Sequence, residues 1–224
     1  MIKIYKDWNF PESQYIREAT EKRQIVLHHT VSGDSVNGDM SWWLHTTERV
    51  ATAYVISREG HLHRCFDDKY WAYHLGLTTH HFAKFGLNYR KLDPHAIGIE
   101  LDSWGALVQH TDGKFYPVTR KDGKVVPNLK CKAVPNIYEY CSNQKYRGFQ
   151  YYERYTTAQL ATLKDLLRHL MDTHRISPNY KSDIWNVTTR ALIGGEGIFA
   201  HASYRQDKSD VHPQVELDNM LKAL

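Results

Sequence analysis

Gln24-Ile25-Val26-Leu27-His28-His29 is a β-branched and aliphatic run that ends in two histidines and is closed downstream by Ser32-Gly33-Asp34. A short apolar run bounded by turn residues reads as a buried strand. His28 and His29 then stand at its C-terminal end, where α/β sheets present their chemistry. A second run, Ala96-Ile97-Gly98-Ile99-Glu100-Leu101, is as apolar, interrupted only by Glu100 near its end. Strands of this kind lie in the middle of a sheet, where an unpaired carboxylate is costly. Glu100 therefore implies a partner or a task.

Outward from these two strands, helices and strands alternate loosely. Asp39 to Ala51 places Met40, Trp43, Leu44 and Val50 on one helical face, predicting an amphipathic helix with Trp42 off the stripe, toward solvent or a cleft. Ala53 to Arg58 and His61 to Phe66 read as strands joined through Glu59-Gly60. Asp112-Gly113-Lys114 and Asp122-Gly123-Lys124 are two turn signals, predicting a small hairpin excursion between Leu101 and Val126. Pro127 to Tyr152, rich in Tyr, Lys and Asn, reads as irregular, so that about 102–152 forms an insertion whose aromatics pack on something. Thr156 and Gln159 have capping-box spacing ahead of Leu160, Leu163, Leu167, Leu170 and Met171, predicting a helix from Thr156 to about Arg175. A Gly-rich turn at Gly194 to Gly197 leads into Ile198-Phe199-Ala200-His201. Pro213 is placed in the first turn of a short terminal helix. The expected architecture is a single α/β domain over 1–224, a central mixed sheet flanked by helices.

The 224 residues include 6 Trp, 15 Tyr and 7 Phe among 42% hydrophobic residues, which excludes a disordered or collagen-like chain and suffices for a closed core. The net charge is +4 with histidines neutral, and the basic residues are scattered, so nothing marks a nucleic-acid binder. Cys65, Cys131 and Cys141 show no CxxC spacing and cannot all pair within one chain; a Cys131 to Cys141 bridge is left open. The N-terminal residues lack the apolar core of a signal peptide, and no apolar run approaches the ~18 residues of a membrane span. The expectation is a monomer made in the cytoplasm without membrane insertion.

A catalytic zinc takes three N, O or S ligands and keeps one open position. His28, His201 and Asp210 form such a set if their segments meet, with Glu100 to take a proton from water and Lys208 to face a developing oxyanion. Fourteen histidines make many other triplets, and ligands this scattered offer no spacing test.

Five short motifs supply more. Ile25-Val26-Leu27-His28-His29-Thr30, Ile97-Gly98-Ile99-Glu100-Leu101, and His201 followed by Lys208-Ser209-Asp210 resemble the zinc-dependent N-acetylmuramoyl-L-alanine amidases of type 2, the superfamily of peptidoglycan recognition proteins and phage endolysins. Between them, Tyr54 to Gly60 resembles that family's strand ending in Arg-Asp-Gly, and Ala72-Tyr73-His74-Leu75-Gly76 its Ala-Trp-His-Ala-Gly. The resemblance implies an amidase or peptidoglycan recognition protein-like fold. It implies Zn2+ on His28, His201 and Asp210, with Glu100 handling the water and Lys208 stabilising the oxyanion. His74 becomes a substrate-cleft residue, and Trp43 and Thr52 join it. Thr52 falls where some relatives place a catalytic tyrosine, while Tyr54 takes the place of a packing aromatic.

The implied activity is hydrolysis of the amide between N-acetylmuramic acid and L-alanine of peptidoglycan, the partner being peptidoglycan or a muropeptide, as in a phage- or prophage-type lytic enzyme. A cytoplasmic muropeptide-recycling amidase, another zinc amidohydrolase and a non-catalytic peptidoglycan-binding module remain alternatives. Retention of all three ligands with Lys208 argues for the enzyme.

Overall fold

The computed structural model describes residues 3–33, 35–141 and 144–224, so Asp34 of the turn predicted after the first long strand lies outside the described residues, as do Met1 and Ile2. Six strands form the main sheet: β1 (Ile4–Tyr5), β2 (Gln24–His29), β3 (Tyr54–Ile56), β4 (Leu62–Arg64), β5 (Ala96–Leu101) and β11 (Gly197–Ala200), in the order β1-β4-β3-β5-β2-β11. The five strands β6 (Ala106–Gln109), β7 (Phe115–Lys121), β8 (Lys124–Pro127), β9 (Ile137–Glu139) and β10 (Tyr151–Glu153) form a second sheet. The helices are α1 (Val36–His45), α2 (Thr79–Ala83), α3 (Thr157–His174), α4 (Thr189–Leu192) and α5 (Val215–Lys222).

The two apolar runs are the centre of the main sheet, as their composition requires. All six residues of β2 are buried, and β2 pairs in parallel with β5 on one side and β11 on the other. β3 is parallel to β5 and antiparallel to β4, which makes the sheet mixed. α3 packs against β3 and α5, burying Leu160, Leu163, Leu166, Leu167 and Leu170. Its predicted capping box is present: Thr156 Oγ1 accepts from the Gln159 amide, and Gln159 Oε1 accepts from the Thr156 amide, both at 3.0 Å. Gln159 Nε2 also donates to the carbonyls of Asp102 and Ile56, at 2.8 and 3.3 Å. The start of α3 is thereby tied to the ends of β3 and β5.

Four expectations are corrected. The first helix is Val36–His45, not 39–51, because Ser35 is its N-cap, accepting from the Asn37 amide, and Thr46 is already extended. Both predicted turns at Asp112-Gly113 and Asp122-Gly123 close hairpins, and the stretch 127–152, though largely irregular, also contains β9 and the start of β10, which complete a five-stranded antiparallel sheet with them. Tyrosine is a strand-forming residue, and Tyr138 and Tyr152 are paired across β9 and β10, Tyr152 stacking on His212 at 4.4 Å between ring centroids. Pro213 lies ahead of the last helix, whose N-cap is Gln214. The strands of the β3–β4 hairpin are shorter than 53–58 and 61–66, since Ala53 and Cys65 join them only by one backbone bond. All three cysteines are free thiols, and no described helix is long and apolar enough to cross a membrane.

Candidate metal centre and cleft

Parallel register aligns the chemistry. Glu100 on β5 sits level with His28 on β2, and Ala200 on β11 is level with Leu27, so His201, the next residue, reaches the row of His28. Three residues from three neighbouring strands therefore share one sheet end. The chain after β11 turns through His201–Ser203 and returns, the Ala202 amide donating to the Asp210 carbonyl at 2.9 Å. That return delivers the Asp210 carboxylate to the two histidines.

Three atoms converge. His28 Nδ1 lies 3.0 Å from His201 Nδ1 and 3.2 Å from Asp210 Oδ2, and His201 Nδ1 lies 2.9 Å from the same oxygen. The other ring nitrogens are already engaged. His201 Nε2–H donates to the Leu75 carbonyl at 3.1 Å, which leaves Nδ1 of the neutral ring as a lone pair. His28 Nε2 faces His74 Nδ1 at 3.0 Å; donating there, it too leaves Nδ1 bare. Two imidazole lone pairs and a carboxylate oxygen then point at one another, an arrangement that repels itself unless a proton or a cation sits among them. Zinc bonds of 2.0–2.1 Å set tetrahedral ligands about 3.3 Å apart, close to the spacing found here. The donor set, its burial and its outer partners fit a zinc ion with one position left open.

Protonation agrees with ligation. Burial, with His201 adding, pushes His28 down to about 4. Burial alone would raise the Asp210 carboxyl, but positive charge and a proton at the Nδ1 atoms of His201 and His28, the place a cation would take, hold it well below the usual range. Neutral imidazole and ionised carboxylate are the forms that bind metal.

A cleft of about 220 Å³ opens on this centre, lined by His28, His201, Asp210, Glu100, Lys208, His74, Trp43 and Thr52. Every residue singled out from the sequence is thus brought together. Larger grooves of about 530 and 490 Å³ lie beside Arg154 and beside Arg120, but neither gathers such chemistry. Glu100 Oε2 is buried without a hydrogen-bond partner among the described residues. Burial pushes Glu100 well above its ordinary value, Asp210 and Asp39 add to this, and Lys208 opposes it. Trp43 lines the cleft while edge-on to Phe10 in the core, whereas Trp42 is 58% exposed. Gly98 explains how His74 and Thr52 lie against β5: a Cβ there would come 2.7 Å from Thr52 Cγ2 and 3.2 Å from His74 Cγ.

Two neighbours stay apart from the centre. His29 turns to the Tyr155 hydroxyl at 2.9 Å, and the Tyr54 hydroxyl donates to Asp68 at 2.8 Å; neither belongs to the ligand group. The sequence reading missed Asp93, whose Oδ1 accepts from the His74 and Leu75 amides at 2.8 and 3.0 Å. It thereby holds both the partner of His28 and the carbonyl that orients His201. Asp93-Pro94 carries only a turn signal, and a carbonyl contact such as that of Leu75 leaves none.

A family model described as N-acetylmuramoyl-L-alanine amidase matches residues 18–213. Among solved structures, PlyL is similar at 10% identity, TM-score 0.54, covering 99% of this chain and 96% of that one. A mutant endolysin from Bacillus subtilis is similar at 13% identity, TM-score 0.52, covering 100% and 98%. The amidase AmiD from E. coli, solved with anhydro-N-acetylmuramic acid-L-Ala-D-gamma-Glu-L-Lys, is similar at 15% identity, TM-score 0.51, over 92% of this chain and 59% of that one. At these identities the likeness shows a shared fold. No curated protein matches the chain.

Proposed function

The chain belongs to the N-acetylmuramoyl-L-alanine amidase family, and from that premise we propose that it is a zinc-dependent hydrolase of the amide joining the lactyl group of N-acetylmuramic acid to L-alanine in peptidoglycan, acting as a lytic enzyme of the endolysin kind. The observation that carries this reading is the meeting of two imidazole nitrogens and one carboxylate oxygen in a cleft that also holds a lysine and Glu100, whose Oε2 has no hydrogen-bond partner among the described residues.

His28, His201 and Asp210 would hold the ion, which would supply Lewis acidity and raise the acidity of water near neutral pH. Glu100 takes the proton of the attacking water at its free carboxylate oxygen and delivers it to the leaving nitrogen of L-alanine. Its raised proton affinity suits both halves of that exchange. Lys208 sets its ammonium beside the carbonyl oxygen as negative charge develops there. His74 keeps His28 oriented while forming part of the cleft wall, and Trp43 and Thr52 shape the same wall around the substrate. Water adds to the carbonyl carbon, the C–N bond breaks, and the products are a lactyl carboxylate and a free L-alanine amine.

Digestion of purified sacculi with mass spectrometry of the products tests the reading. New L-alanine amino termini on peptides, with the glycan chains intact, are expected. Binding without release, or cleavage at another bond, refutes it.

A further inference from the structure

Beyond the residues that touch the cleft, the connection between β9 and β10 of the second sheet reaches the segment from His201 to Asp210 through the side chain of Arg147. Tyr146 and Phe149 exchange backbone hydrogen bonds at 3.0 and 2.9 Å, closing a two-residue turn in which Arg147 and Gly148 have φ of 49° and 88°. Positive φ at both positions is the type I′ hairpin geometry, which favours Asn-Gly. Glycine meets that demand at 148; arginine at 147 does not, and carries the cost of a left-handed backbone.

What occupies that costly position is a guanidinium with three carbonyl partners. Arg147 donates to Gln206 at 3.0 Å, Ala202 at 3.1 Å and Trp185 at 3.4 Å. Ala202 follows the ligand His201, and Gln206 stands two residues before Lys208. The same hairpin supports its arginine: the Tyr146 hydroxyl donates to the Trp185 carbonyl at 3.2 Å, and Tyr152 donates to the Tyr146 carbonyl at 2.8 Å. The segment from His201 to Asp210 is thus tied at its ends by metal-ligating side chains and gripped along its length from the second sheet.

We infer that Arg147 is a positioning residue that holds the backbone of residues 202–206 so that the Lys208 ammonium is presented to the cleft, and that this is the task of the hairpin at the edge of the second sheet. The inference rests on the proposed role of Lys208. A planar fork able to span three carbonyls suits the work, and no other side chain offers it.

The turn's own preference supplies the test. Arg147→Asn creates Asn-Gly, the favoured type I′ pair, so the hairpin keeps or gains stability while the guanidinium is lost. With a soluble muropeptide as substrate, Arg147→Asn is expected to lower kcat by about tenfold, KM staying within about twofold, the scale of a misplaced catalytic group. Thermal midpoint and zinc content should equal or exceed those of the wild type. Arg147→Lys should recover only part of kcat, and in a Lys208→Ala background Arg147→Asn should cost less than about twofold, the mark of two residues acting through one contact. A wild-type kcat in Arg147→Asn, or an equal loss with and without Lys208, overturns the inference. Failure of the wild-type protein itself to cleave the muropeptide refutes the proposed activity instead.

Discussion

Glu100 Oε2 has no hydrogen-bond partner among the described residues, and the first cause of its high proton affinity is burial, reinforced by Asp210 and Asp39. A base must be ionised to accept a proton, so activity rises as pH climbs through its folded pKa. The acid limb of kcat/KM is therefore expected above the ordinary carboxylate range, as a pH–rate profile on a soluble muropeptide would show. Glu100→Ala should retain zinc and fold yet lose turnover by about 100-fold or more, whereas Asp210→Ala should lose metal and activity together, read by metal analysis beside the assay. Lys208 acts on charge that exists only as the reaction proceeds. Lys208→Ala is expected to lower kcat by about 100-fold with KM little changed, and Lys208→Arg to restore only part, measured by steady-state kinetics.

The elements differ in how openly their sequences announce them. At the start of α3, Thr156 both caps the helix and donates to the Arg58 carbonyl at 2.7 Å. Thr156→Ala should cost about 1 kcal/mol of stability in urea denaturation without altering metal content. That cap was legible, as were β2 and β5, because a capping box and a buried apolar run are local patterns. The start of α1 was not, since Asp39 inside the helix resembles a cap while Ser35 performs the role. β9 and β10 escaped notice because Ile137-Tyr138-Glu139 and Tyr151-Tyr152-Glu153 are too short to show an alternation, and their pairing is set by distant neighbours. The ligand set shows the same limit: His28 and His201 are 173 residues apart, and no spacing rule reaches that far. Family motifs supplied the candidates; the register of β11 against β2 is what brings their atoms together.

Across the whole molecule, Arg58 is the bolt between the two sheets. Its guanidinium makes a forked pair with Glu153 of β10 at 2.7 and 2.8 Å, meets Asp102 at 2.5 Å just past β5, and donates to the carbonyls of Ser32 and Gly33 at 3.0 and 2.5 Å. Arg58→Ala strands two buried carboxylates, and chemical denaturation should show a loss of about 3–5 kcal/mol. The strand order carries a last consequence. β11 is an outer strand with β2 as its single sheet neighbour among the described residues, so its place in the sheet rests on one row of backbone pairing. It leads directly into His201, so an ion held between His28 and His201 would staple this outer strand to the central β2. Stripping the metal should therefore speed amide hydrogen exchange at Gly197–Ala200 far more than in β5, as mass spectrometry of the zinc-free and zinc-loaded protein would reveal. The ion that serves the chemistry would then also be the hem of the sheet, and demetallation would unpick the fold from that one border inward.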